Sequence, residues 1–513
     1  MADSYPLAEQ DTGGRPADIE RHNVEAVNAP QRLKLYAPRT KIHPKRASGD
    51  FRRLKWLIMA VTLGIYYIAP WLRWDRGPYA PDQAILVDLA HRRFYFFFIE
   101  IWPQEFYYVA GLLIMAGVGL FLVTSVVGRA WCGYTCPQTV WTDLFLVVER
   151  WVEGDRNARI KLDSAPWSLD KLRKRVMKHA IWVVISVATG GAWIFYFADA
   201  PSLARDLVTG EAAPVAYSTI GLLTATTYVL AGFMREQVCI YMCPWPRIQA
   251  AMVDEDSLVV TYNAWRGEPR SAHRKKLLAE GKSAGDCVDC NACVAVCPMG
   301  IDIRDGQQLA CITCALCIDA CDSVMDKIGK PRGLISYSSL KVFEAAKSVS
   351  PKTLLRGALI RPRTIVYSAL WVVAGLVMLV SLAMRERLDI NVVADRNPLF
   401  VTLSDGSIRN GYTIKILNME QRPRNFRLSI EGAPAAVMTL AGSEQPPSRA
   451  FEVEVEADKL RSIKTYVAMP REAMTGETTG FSFVITDSSQ TEAAERSEYP
   501  AIFHGPSRTG DEP

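Results

Sequence analysis

Eight of the twelve cysteines in this chain fall into two runs of identical phase, CVDCNACVAVC from Cys287 to Cys297 and CITCALCIDAC from Cys311 to Cys321. Each reads C-x2-C-x2-C-x3-C. Three thiols on a tight loop can converge on one small volume, but so short a loop cannot easily wrap round to supply a fourth. At this spacing the fourth cysteine of each run serves the other site. The pattern predicts two [4Fe–4S] clusters, one held by Cys287, Cys290, Cys293 and Cys321, the other by Cys311, Cys314, Cys317 and Cys297. Pro298 follows the first run, whereas Asp322 stands where a second proline would be, a change that removes no ligand. Zinc takes four ligands in two C-x2-C pairs, so eight cysteines in this phase fit it poorly. No cysteine lies beyond Cys321, which speaks against a disulfide framework.

The other four cysteines form a repeat. WCGYTCPQTVW (131–141) and VCIYMCPWPRI (238–248) each give C-x3-C-P just past the end of an apolar segment, so residues 106–150 and 215–255 read as related halves. Residues four apart share a helix face, so Cys132 with Cys136, and Cys239 with Cys243, can each present two sulfurs to one ion. If the halves pack together, four thiols converge. Thiolates select Cu(I), zinc or iron–sulfur clusters. The bland alternative is that these are small buried hydrophobes, but two pairs of identical spacing and context argue for a metal or redox role.

Hydrophobic residues make up 49% of the chain, unevenly spread. Stretches near 54–72, 106–128, 179–198, 215–234 and 364–384 have the length and composition of spanning helices. Lysine and arginine are abundant in 1–53 and 129–178, with ten each, and sparse in 73–105, with four, and 199–214, with Arg205 alone. This alternation predicts that the N-terminus, loop 129–178 and segment 235–363 are cytoplasmic and that the tail lies outside, in the periplasm of a Gram-negative cell. The net charge of +5 gathers beside apolar segments, so it reads as a topology signal and implies no nucleic-acid partner. The tail holds short alternating stretches such as FRLSIEG and FEVEVEA with turns at Asp405-Gly406 and Asn410-Gly411. Six or seven such strands predict an immunoglobulin-like β-sandwich.

The fold expected is therefore a polytopic α-helical membrane protein with about five spans. Its parts are a disordered N-terminus (1–50), a four-helix membrane domain (51–255), a cytoplasmic ferredoxin-like segment (256–350), a fifth helix (360–385) and an exported immunoglobulin-like domain (386–505), with 505–513 disordered. No histidine lies deep in a span, so no haem is expected, and His179 reads as an interfacial residue. The C-x3-C spacing does not match covalent haem attachment. Neither a phosphate-binding P-loop nor a Rossmann glycine motif occurs, which leaves ATP hydrolysis, NAD and a Rossmann-type flavin unsupported.

In this order, spanning helices, WCGYTCP, VCIYMCPWPR, a two-cluster segment, a last helix and a β-tail, the chain closely resembles the cytochrome c oxidase accessory proteins called CcoG, FixG or RdxA, over about residues 30–505. Its first half is also similar to the membrane ferredoxins NapH and NosR. The resemblance implies a cupric reductase that converts Cu(II) to Cu(I) for assembly of the cbb-type oxidase of the bacterial inner membrane. Cys132, Cys136, Cys239 and Cys243 then handle copper as substrate or bound ion, and oxidase assembly factors are the implied partners. The electron donor is a quinol or a cytoplasmic reductant, and the oligomeric state stays open, a homodimer included. Two other readings remain: a quinol-linked electron-transfer subunit, and a non-enzymatic redox sensor or assembly scaffold.

Overall fold

The computed structural model describes residues 20–27, 41–78, 80–273, 279–281, 283–345, 349, 351–385, 388–420, 422–457, 459–474, 476–488 and 495–506. The chain divides into two compact units. The first comprises Met1–Leu72 with Gln83–Met378, and the second Arg73–Asp82 with Leu379–Pro513.

Among the described residues, five helices are long and apolar enough to cross a membrane: Asp50–Trp71, Pro103–Val127, Leu169–Ile194, Pro214–Met234 and Pro362–Ala383. The third starts ten residues earlier than its apolar stretch. Ser168 caps it by accepting from the Lys171 N–H, and two lysines of its charged first half, Lys171 and Lys178, are buried against protein. Lys178 lies 2.9 Å from Glu153. His179 consequently sits inside the helix, where its ring meets the Tyr228 hydroxyl at 3.0 Å and stacks on Phe233. At the ends of the bundle that carry Leu72 and Ile194, three strands form an antiparallel sheet, β1 (Ile85–Asp88), β2 (Arg93–Phe96) and β3 (Ile99–Ile101). Gln83 ties it down, donating to the Phe195 carbonyl at 2.7 Å and accepting from the Ala200 N–H at 2.9 Å.

The two halves share a plan. A spanning helix leads into a short helix bearing the first cysteine of C-x3-C and then into a second helix; the second cysteine, Cys136 or Cys243, stands in extended backbone between them, so the pair does not share one helix face as its spacing predicted. In the first half these are Tyr107–Val127, Ala130–Tyr134 and Pro137–Glu153. In the second half the spanning helix ends in π-helical turns over Tyr228–Met234, the cysteine segment Val238–Met242 is itself π-helical, and Trp245–Met252 follows. Such turns gather at functional sites. Pro137 occupies the first turn of its helix, while Pro244 is the N-cap of the corresponding one.

The ferredoxin segment is closed by a two-stranded clasp of β4 (Val259–Tyr262) and β5 (Ile335–Ser338). The N-terminal region read as disordered is ordered in part. Val27 donates to the Gly300 carbonyl, Lys45 to that of Ala295 and His22 to that of Cys290, so residues 20–27 and 41–49 lie across the cysteine loops. Their partners are more than 200 positions away, which no local pattern can announce. Residues 1–19, 28–40 and 507–513 of the segments expected to be disordered lie outside the described residues.

The second unit holds two sheets. Its strands are β6 (Leu388–Ala394), β7 (Val401–Thr402), β8 (Ile408–Asn418), β9 (Arg424–Glu431), β10 (Val437–Leu440), β11 (Ala450–Val455), β12 (Leu460–Met469), β13 (Thr478–Asp487) and β14 (Arg496–His504). One sheet runs β10-β12-β8-β6 with β7 on β8, and the other β11-β9-β13-β14. Strict alternation drives the packing, as strand geometry requires. Phe426, Leu428 and Ile430 of β9 and Phe451, Val453 and Val455 of β11 all enter one core. The tail has more strands than the six or seven expected. LDINVVA and the four-residue VMTL lie outside the stretches expected to be strands, and β14 carries Pro500, which is tolerable because β14 is an edge.

Candidate metal centres

The two cysteine runs fold alike. Asp289 and Asn291 in the first loop, and Thr313 and Ala315 in the second, all have positive φ, between 52° and 60°. For residues with a side chain this conformation costs about 1–2 kcal/mol each, and its recurrence at matching positions shows that both loops are bent for one purpose. Such turns aim backbone N–H groups inward as an anion nest. Thr313 N–H points at the Cys311 sulfur at 3.4 Å.

Each bent loop lines a recess. Cys287, Cys290, Cys293 and Cys321 line one, and Cys297, Cys311, Cys314 and Cys317 line the other, with Cys293 in the wall between them. The last cysteine of each run thus joins the recess of the opposite run. Burial pushes the Cys293 and Cys297 thiols up to about 12 and Cys311 to about 11. Burial of this kind disfavours an unpaired thiolate, so four thiolates require compensating positive charge at their centre. Four thiols around each recess, N–H groups turned inward and a dry lining fit a [4Fe–4S] cluster.

Arg304 holds the first loop in place and was not singled out by its sequence. It is nearly buried and reaches Asp289 and Asn291, each at 2.7 Å, while also pairing with Asp302. Tyr337 does a similar service for the second, donating to the Thr313 carbonyl at 2.9 Å.

The four C-x3-C-P cysteines come to one region. Burial raises the Cys239 thiol to about 12, with Cys136, Cys132 and Cys243 adding to the effect. Their exposure is graded: Cys132 is buried, Cys136 and Cys239 are half-buried and Cys243 is exposed. Cys132 donates to Gln249 Oε1 at 3.1 Å. Cys132 and Cys239 share a packed cluster with Cys297, Cys311 and Cys314, so this region borders the second recess. Among the described residues, no three His, Cys, Asp or Glu side chains are arranged to grip a single ion.

A buried ionic network lies on the neighbouring helix Pro137–Glu153. Asp143 receives Arg52 at 2.8 and 2.9 Å. Glu149 receives Arg159 and Arg235, both at 2.9 Å.

These features define a membrane-bound iron–sulfur electron-transfer protein with an immunoglobulin-like tail. Residues 234–340 match a 4Fe-4S dicluster domain, residues 109–154 a 4Fe-4S binding domain, and residues 378–506 the "IG-like fold at C-terminal of FixG, putative oxidoreductase". The chain is 61% identical to the nitrogen fixation protein FixG of Rhizobium meliloti, over 96% of this chain and 98% of that protein. It is 61% identical to RdxB of Cereibacter sphaeroides, over 82% and 90% of the two chains, and 53% identical to RdxA of the same organism, over 92% and 98%. The chain belongs to the FixG/RdxA family. A crystal structure of a FixG-related protein from Vibrio parahaemolyticus aligns with 23% of this chain and 97% of that one, at 20% identity and a TM-score of 0.20.

Proposed function

We propose that this protein is a cupric reductase of the bacterial inner membrane, converting Cu(II) to Cu(I) for assembly of a cbb-type cytochrome c oxidase. The observation that carries the reading is the packing of Cys132 and Cys239 against the cysteines of the second recess. In it, Cys287, Cys290, Cys293 and Cys321 hold one [4Fe–4S] cluster, and Cys311, Cys314, Cys317 and Cys297 the other. Bound there, such clusters would supply single electrons.

The chain's own residues supply the rest. Exposed Cys243 meets incoming copper and buried Cys132 lies deepest. Cys132 keeps its proton on Gln249 until metal replaces it. Soft sulfur ligands favour Cu(I) over Cu(II) and so raise the driving force for reduction. The electron-transfer step itself moves no obligatory proton and needs no acid–base side chain; the thiol protons displaced when copper binds pass to solvent. The test is to give anaerobic full-length protein a reductant and Cu(II) and to trap Cu(I) with a chromophoric chelator. A yield no greater than that of reductant alone would remove the reading.

A second reading, a quinol-linked electron-transfer subunit, is favoured by one feature. Lys55, Gln138, Thr142, Asp143, Arg150 and Arg235 line a polar recess of about 30 Å³ beside Cys239, room for a water-sized group, so a quinol head would approach only its mouth. A reduced quinol analogue that reduces the iron–sulfur centres in isolated membranes would favour this role, and failure to do so would exclude it.

The ferredoxin segment belongs in the cytoplasm and the tail in the periplasm. The lysine and arginine alternation supports this, as does the grouping of Arg73–Asp82 with the tail unit. The tail serves to dock an oxidase assembly factor. It contains no cysteine, and Met438, Met469 and Met474 are spent in its core.

A further inference from the structure

The short helix Ala130–Tyr134, which carries Cys132, lies directly on the loop that carries Cys311 and Cys314. Arg129, just before it, donates to the Leu309 carbonyl. The Tyr134 hydroxyl donates to the Cys314 carbonyl at 3.2 Å. Between these two contacts comes Gly133. A Cβ at this position would stand 2.6 Å from the Ile312 carbonyl oxygen and 3.0 Å from the Cys314 nitrogen. Those separations are well inside normal van der Waals contact, so any side chain would push helix and loop apart. Glycine is otherwise unfavourable within a helix, and close approach to the loop is what it provides here. Among the described residues the first recess has no such neighbour. Cys287, Cys290 and Cys321 pack with Val24, Tyr262 and Ile335, away from Cys132 and Cys239.

We infer that Gly133 is a positioning residue that puts the C-x3-C-P thiols in electronic contact with the second recess and leaves the first remote from them. The inference deepens the proposed function and rests on it for its meaning, since it says which centre faces the copper thiols. Groups that touch a ligand loop tune the metal centre the loop holds. Displacing this helix must therefore alter one cluster and spare the other.

The first test uses a nitroxide on Cys243, the one exposed cysteine of the twelve, in anaerobic full-length protein. Reduced, paramagnetic clusters should speed relaxation of the nitroxide. The enhancement should persist in Cys290→Ser, which loses a ligand of the first recess, and vanish in Cys314→Ser, which loses one of the second. The reverse result, or equal loss in both, would overturn the inference. The second test is a redox titration of Gly133→Ala followed by electron paramagnetic resonance. The potential of the cluster abolished by Cys314→Ser should shift while the other stays within error. No shift, or an equal shift in both, contradicts the proposal. If Gly133→Ala does not accumulate, Tyr134→Phe, which removes the hydroxyl's bonds to Cys314 and to Tyr337, both serving the second loop, takes its place in the same titration. Copper enters neither measurement, so these results stand or fall separately from the cupric reductase reading.

Discussion

The Asp319 carboxylate accepts a hydrogen bond from the Arg52 backbone N–H at 2.7 Å. It also accepts one from Phe51 at 3.2 Å. Asp319 lies between two cysteines of the second run, and Phe51 and Arg52 open the first spanning helix. A helix start leaves its first N–H groups without partners, and here no local side chain caps it. The cap comes from the ferredoxin segment, and Gly49 makes room for it, since a Cβ there would collide with the Asp319 side chain. Asp319→Ala should therefore cost about 1 kcal/mol, the usual worth of an N-cap, and should speed iron loss. Gly49→Ala should behave similarly. Thermal melts with iron release as a second readout check both, and unchanged melting would show that the contact carries no weight.

Glu149 predicts an acid transition. Burial raises its pKa, but Arg235, Arg159 and Lys178 outweigh burial and hold it at about 2, against an ordinary 4.5. A carboxyl depressed in the folded state adds stability above its unfolded pKa and loses it as pH falls through the folded value. The loss should run from pH 4.5 down to about 2 and amount to roughly 3 kcal/mol, at about 1.4 kcal/mol per unit. Glu149→Gln should remove this acid dependence. It should also destabilise at neutral pH by about 3–5 kcal/mol, because it leaves the fully buried Arg159 unpaired. Melts across pH 2–7 decide it.

Arg304 should matter to one centre only. It clamps Asp289 and Asn291 of the first loop, and among the described residues its hydrogen bonds and ion pairs go to these and to Asp302, none to the second loop. Arg304→Ala should bring iron from about eight per chain toward about four, as loss of one cubane requires. Iron and sulfide analysis with paramagnetic resonance reads this directly, and retention of both clusters at full occupancy would refute the role.

Chain termination near residue 388 should spare the centres. The tail is a separate unit with its own core. The truncated protein should keep both clusters and still reduce Cu(II) when purified, while oxidase assembly in cells falls. Loss of copper reduction in the purified truncation would mean that the tail takes part in the chemistry.

Much of this was legible from spacing and periodicity, because both are local. Five apolar stretches predicted the five candidate spans, and the alternation of FRLSIEG and FEVEVEA predicted strands whose inward residues are those now seen in the core. What sequence missed depends on partners distant along the chain. The third helix looked too charged to begin at Leu169 because Lys178 finds its carboxylates only in the folded bundle. The ordered part of the N-terminus looked like a polar tail because Ala295 and Gly300 supply its hydrogen bonds. Arg304 had no signal at all, since its loop partners are 13 and 15 positions away. Gly133 was visible only as one glycine inside WCGYTCP, with no sign of the loop it must approach.

The central claim is that the C-x3-C-P thiols receive copper and that the iron–sulfur centres alone do not suffice. The direct measurement is a single-turnover reaction of anaerobic full-length protein, reduced and freed of excess reductant, with Cu(II). The parent should form up to about two Cu(I) per chain, one for each single-electron cluster. The Cys132→Ser/Cys136→Ser variant should retain about eight iron per chain, because neither cysteine lines a cluster recess, yet should form Cu(I) at least tenfold more slowly and bind it poorly, because a hydroxyl is a hard ligand. Equal rates and equal copper retention in parent and variant would contradict the account.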